Sequence, residues 1–161
     1  MRRAFTHWAK WKERNTLDGL HCPGVYVLAK SKRDISATPF SWRKEIMYVG
    51  MTNAKGGLKS RLQQFENTIK GGGGHGGAER VRSKYRKYDE LTRSLYVSVC
   101  PYECEVVSNR PRDLLIMGEV AKREYECLAV FREKFPRLPE FNDKKRSPKK
   151  RVPGRTRRRI P

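Results

Sequence analysis

At 161 residues the chain has room for one domain and an appendage, and 37 Lys+Arg against 17 Asp+Glu leave a formal net charge of +20 with a pI near 10.3. A hydrophobic fraction of 37% still allows a modest core because the apolar residues cluster, and no run of them reaches the length of a membrane-spanning helix. The start, MRRAFTHWAKWKERN, has no apolar stretch of signal-peptide length. The four cysteines, Cys22, Cys100, Cys104 and Cys127, lack the density and spacing of a disulfide scaffold. The expected setting is therefore a reducing one: cytoplasmic or nucleoid-associated, or nuclear in a eukaryote.

Residues 1–21 mix Phe5, Trp8, Trp11, Leu17 and Leu20 with basic residues and suggest a short amphipathic helix packed on the body. Pro23-Gly24 then punctuates, and Val25-Tyr26-Val27-Leu28 reads as a buried strand. Residues 30–44 are polar with Pro39 and are expected to form a loop. Ile46-Met47-Tyr48-Val49 is a second strand stopped by Gly50. After Gly56-Gly57, the residues Leu58, Leu62, Phe65 and Ile69 recur on one helical face. GGGGHGG at 71–77 predicts a segment that is mobile or held close to a backbone. A basic stretch, RVRSKYRKY at 80–88, follows. SLYVSVC at 94–100 alternates as a third strand with one exposed face, and Pro101 ends it. From about Arg112 to Phe135 a long helix carries Leu114, Met117, Ala121, Leu128, Phe131 and Phe135 on its predicted buried stripe. No repeat of fixed period is present. The pattern predicts one small α/β (α+β) domain over residues 22–143.

Residues 144–161, KKRSPKKRVPGRTRRRIP, hold ten basic and no acidic residues and almost nothing to bury, so they are expected to form a basic, disordered C-terminal tail. A cationic surplus of this size calls for a polyanionic partner, most commonly nucleic acid. An anionic membrane is disfavoured because no long amphipathic apolar face accompanies the charge.

The long helix contains one discordant residue. The stripe steps 114, 117, 121, then 128, 131, 135, and the missing member is Glu124. A carboxylate facing a sheet is costly unless a metal ion or a buried Arg partners it; at the edge of the stripe it would reach solvent instead. Glu119 and Glu126 are alternative carboxylates that lie off this stripe.

Gly24-Val25-Tyr26 on the first strand, Tyr48-Val49-Gly50 on the second, Arg61 in LKSRL on the next helix, Glu124 on the long helix, and FPRLPEFN ending at Asn142 resemble, in order and spacing, the GIY-YIG nuclease family. The resemblance covers roughly residues 22–143. It implies a small three-stranded antiparallel sheet flanked by helices, and phosphodiester hydrolysis with one divalent ion, Mg²⁺ or Mn²⁺. It implies that Tyr26 and Tyr48 line the site, with Tyr26 the favoured partner in deprotonating the attacking water. Arg61 would bind the scissile phosphate, and Glu124 would hold the metal. Gly24 and Gly50 would allow tight backbone geometry, and Asn142 would support the site. These groups suit the reaction: a guanidinium and a cation answer charge that develops on phosphate, and one hard carboxylate anchors an ion that keeps most of its waters.

Many relatives carry a His or Tyr one turn after the Arg, where this chain has Phe65, which moves no proton. His75 in the glycine segment is the substitute, either closing over the phosphate or standing exposed in a loop. A zinc site from His21, Cys22, Cys100 and Cys104 is disfavoured because His21 and Cys22 are adjacent. Duplex or branched DNA would be held by its backbone, through Lys59, Arg80, Arg82, Lys84 and Arg86 on the body and Lys149, Lys150, Arg151, Arg157, Arg158 and Arg159 in the tail, with residues 30–44 as a contacting insertion. The competing expectation is a nucleic-acid-binding protein without catalysis.

Overall fold

The computed structural model describes residues 3–147. The expectations for the tail from 148 onward, including Lys149, Lys150, Arg151, Arg157, Arg158 and Arg159, lie outside the described residues.

Four strands form one antiparallel sheet in the order β1-β4-β2-β3: β1 (Ala9–Lys10), β2 (Gly24–Lys30), β3 (Ile46–Thr52) and β4 (Leu95–Pro101). The expected three-stranded sheet is its centre, and β1 adds two residues along β4. The helices are α1 (Gly57–Ile69), α2 (Gly76–Lys84), α3 (Tyr88–Arg93) and α4 (Pro111–Lys134), with 3-10 turns at Trp11–Thr16 and Glu140–Asn142. Among the described residues no helix is long and apolar enough to cross a membrane.

Alternation along the strands divides the interior into two cores. Tyr26, Leu28, Tyr48, Val97 and Val99 face α1 and α2, together with Leu58, Leu62, Phe65 and Val81. Val25, Val27, Val49, Tyr96 and Cys100 face α4, together with Ile116, Val120, Cys127 and Phe131. Trp8 joins the second core and Trp11 the first. The N-terminal segment therefore wraps around the sheet as a strand and a 3-10 turn, not as the expected amphipathic helix.

Two other expectations are corrected, one for β4 and one for α4. β4 has no exposed face; Leu95 through Cys100 are all buried. The polar residue that suggested a wet face, Ser98, is satisfied internally by donating to the Thr6 carbonyl at 2.7 Å. The basic stretch from Ala78 folds as α2, whose Ala78 and Val81 are buried, and α3 follows it. The buried stripe of α4 is Asp113, Ile116, Val120, Cys127 and Phe131, shifted from the expected one. Leu114 lies about half exposed, and Leu115 and Tyr125 are exposed at 71% and 72%. Asp113 sits at the inner position because it is bonded by the Ser108 hydroxyl, by Arg110 Nε at 2.8 Å and by the Glu105 amide at 3.1 Å. The side chain nearest the centre of the missing turn is Arg123, and Glu124 borders it.

Lys30 ends β2 and the chain from 31 to 44 is irregular as expected, but its aromatics are used by the body. Phe40 stacks on Phe5 at 4.2 Å and on Trp8 at 5.3 Å, and Trp42 meets Phe40 edge-on.

Glu66 on α1 ties the wrapped N-terminus to the helical layer. It is 3% exposed and accepts hydrogen bonds from Trp11 Nε1 at 2.6 Å and the Tyr88 hydroxyl at 2.5 Å. Lys70 Nζ at 3.0 Å and Arg14 Nη1 at 3.9 Å complete its shell. Burial alone would raise its pKa, but bonds from Tyr88, Trp11 and Lys70 with the Arg14 charge outweigh it and hold the carboxyl below its ordinary 4.5. This contribution is fully present above pH 4.5 and fades as pH falls through the lower folded value. Glu66→Ala strands the indole N–H and the Arg14 charge, and should cost on the order of 3 kcal/mol in urea unfolding at pH 7. The gap from wild type should narrow below pH 4.5.

Candidate active site

Tyr26 and Tyr48 lie on neighbouring strands of one sheet face. Tyr26 is paired across β3 with Gly50, and Tyr48 is paired across β2 with Leu28, so the two phenols are diagonal neighbours with ring centroids 6.0 Å apart. The Tyr26 ring lies over Gly50, where an added Cβ would stand 2.5 Å from Tyr26 Cζ. Gly24 is needed for a similar reason, since a Cβ there would run into the Cys100 carbonyl and stand 3.0 Å from Leu58 Cδ1. At both positions a side chain would collide with its neighbours.

α1 supplies Arg61, half-buried, three residues after Leu58 and one before Leu62. Its Nη1 donates to Gln64 at 3.1 Å and its Nε is buried without a partner. The guanidinium acts electrostatically on Tyr26, Tyr48, His75 and Glu124. Glu124 comes from α4, on the opposite side of the sheet. The two faces meet here because β3 is the edge strand, so both helices overhang its open side. Glu124 is half-buried, and among the described residues it accepts no hydrogen bond and forms no ion pair. Burial raises its pKa and the Arg61 charge opposes the rise. Arg61 and Glu124 thus influence one another without closing into a bridge.

Asn142 fixes the edge itself. Its Oδ1 accepts from the Val49 N–H at 2.8 Å and its Nδ2 donates to the Val49 carbonyl at 2.8 Å. The side-chain amide occupies the place of a fifth strand between Tyr48 and Gly50.

His75 is neither an open lid nor an exposed loop residue. It is fully buried and forms the N-cap of α2, its Nδ1 accepting from the Ala78 N–H at 3.2 Å, while Nε2 lies 2.7 Å from Tyr26 Oη. The ring packs edge-on to Phe65 and Tyr48. Phe65 at the expected proton-carrier position therefore braces an imidazole that arrives from another element. Burial first, and then the Arg61 charge, push His75 down to about 3. Tyr26 is raised well above its ordinary value by burial and by Tyr48; Tyr48 is raised by burial, with Arg61 pulling it back.

Two participants were not identified from the sequence. Gly77 lies against Tyr48, where a Cβ would stand 2.5 Å from its Cζ. Arg80, expected as a surface contact, is buried; its Nε donates to the Phe141 carbonyl at 3.1 Å and its charge is felt by Tyr48 and His75. The signal available for both was position, since the glycine segment leads directly into α2. Lys59, Arg82 and Arg86 are exposed as expected. Lys84 is also exposed but bridges Glu140 at 2.6 Å.

All four cysteines are free thiols, and among the described residues no three His, Cys, Asp or Glu side chains gather as metal ligands. A lone unpartnered carboxylate is nevertheless a donor set that fits a hard divalent ion completed by water and substrate oxygens. No family model, curated protein or solved structure matches this chain.

Two outcomes follow from these contacts. Gly77→Ala gains about 1 kcal/mol of helix propensity but forces the Tyr48 ring to move, at a cost of about 1–3 kcal/mol. The urea midpoint should therefore fall. The native state also keeps His75 neutral, while the unfolded chain takes up a proton near 6.5. Stability should be full above pH 6.5 and decline toward about 3, by up to about 1.4 kcal/mol per pH unit. Denaturation at stepped pH should show that this slope is lost in His75→Gln.

Proposed function

We propose that the protein is a metal-dependent DNA endonuclease of the GIY-YIG type that hydrolyses phosphodiester bonds. The observation that carries this reading is the relation of Arg61 on α1 to Glu124 on α4: opposite charges from two elements that act on one another and on Tyr48, yet form no ion pair among the described residues. A phosphate with an attendant cation has the charge order that such a pair accepts, its oxygens toward the guanidinium and its ion toward the carboxylate.

Arg61 binds the scissile phosphate. Its planar fork meets two oxygens and its charge is permanent. Glu124 would hold Mg²⁺ or Mn²⁺, which when bound supplies Lewis acidity at the phosphate and eases deprotonation of the attacking water. His75 does not serve as the base, because its two nitrogens face Ala78 and Tyr26. Tyr26, fully buried beneath Gly50, has no open side. Tyr48, 8% exposed, is the phenol that reaches the cleft. Arg80 adds a second positive charge behind it. Lys59, Arg82, Lys84 and Arg86 offer backbone contacts to DNA.

The test is incubation of supercoiled, linear and branched DNA with Mg²⁺ or Mn²⁺. Wild type should nick or cut, and Arg61→Ala and Glu124→Gln should each lose about 10²–10³-fold in rate while retaining DNA affinity at matched salt. Absence of cleavage on all three substrates, with binding intact, would instead identify a non-catalytic nucleic-acid-binding protein.

A further inference from the structure

The hydrogen-bond partners around the two phenols determine where their hydrogens point. The Ala78 N–H, 3.2 Å from His75 Nδ1, requires a lone pair on that nitrogen. The hydrogen of the neutral ring therefore sits on Nε2, which is 2.7 Å from Tyr26 Oη. The Arg61 charge also acts on Tyr26, and a guanidinium has only hydrogens to give. A hydroxyl that accepts from His75 and faces a cation turns its own hydrogen toward its other polar neighbour. That neighbour is Tyr48, whose ring centroid lies 6.0 Å from that of Tyr26. The Tyr48 hydroxyl then turns its hydrogen away from Tyr26, toward the cleft between Arg61 and Glu124.

We propose that His75 is a positioning residue that imposes one direction on this chain, from His75 Nε2–H to Tyr26 Oη–H to Tyr48 Oη–H, so that Tyr48 meets the substrate as a neutral hydrogen-bond donor to a non-bridging phosphate oxygen. The proposal rests on the nuclease reading for its substrate, but the direction of the chain does not. It assigns Tyr48 binding of charge that grows on the phosphate, rather than removal of a proton from water. The raised pKa values of both phenols accord with this, because each keeps its hydrogen at neutral pH. The glycine segment supplies the constraint: Gly77 lets α2 approach the Tyr48 ring closely enough for His75 to reach Tyr26.

Long-range ¹H–¹⁵N correlation spectra of the ¹⁵N-labelled full chain at pH 7 report the His75 tautomer directly, with His75→Gln identifying its signals against His7 and His21. The expected result is a hydrogen on Nε2, slow to exchange and shifted downfield, with Nδ1 bare; Tyr26→Phe should remove the downfield shift. A hydrogen on Nδ1, or a doubly protonated ring, overturns the direction. In cleavage assays Tyr48→Phe should lower kcat about tenfold and leave the shape of the pH–rate profile unchanged; loss of an acidic limb in that variant overturns the donor role. His75→Gln, which retains a donor, should preserve more kcat than His75→Leu, and equal losses overturn the positioning role. If wild type cleaves no DNA, the nuclease reading and the substrate role fall together, while the spectra still decide the direction of the chain.

Discussion

One guanidinium sets the chemistry of the cleft. Arg61 sits on the border of the apolar face of α1, near enough to the core to be partly desolvated and near enough to the edge to remain in reach of a ligand. In that position its charge acts through a low-dielectric surrounding on two phenols, an imidazole and a carboxylate at once. Burial is the leading cause of each shift, and the same charge helps keep His75 neutral and restrains the rise in Glu124. Nothing in the described residues neutralises it with a direct carboxylate bridge. An arrangement of this kind is preorganised for an anion.

The edge strand explains why groups from both sides of a sheet can share that charge. In the middle of a sheet the backbone separates the two faces. At β3 the backbone ends, and α1 and α4 project past it from opposite sides. The strand must be held straight at that point, and this is accomplished by the side-chain amide of Asn142 on Val49 and by the absence of a Cβ at Gly50. The cleft is therefore built from the most local features of the chain, two strands and the helix that follows, closed by two distant residues.

This division matches what could be read from the sequence. β2, β3, α1 and α4 were legible because their apolar periodicity is strong and their ends are marked by Gly and Pro. Tyr26, Tyr48 and Arg61 lie on those elements but were singled out by the family resemblance alone. The face of Glu124 did not follow in detail, because α4 has apolar residues on more than one side. Leu114 looks like core in the sequence but stands about half exposed, while Asp113 is buried by its bonds to Ser108 and Arg110. Local bonds of this sort leave no periodic trace. Ser98 disguised a central strand as a half-exposed one for the same reason. α2 was hidden by its charge, and with it the burial of His75 and Arg80. The N-terminal wrap could not be inferred, since it depends on Glu66 receiving an indole 55 residues away.

The Asn142 clamp also bears on self-association. A free β3 edge would offer the N–H and C=O of Val49 as a template for a strand from another molecule. With both groups engaged by one side chain, that template is blocked at its centre, beside the cleft. A strand from a second copy therefore cannot extend the sheet through Val49, where an unclamped edge would invite it.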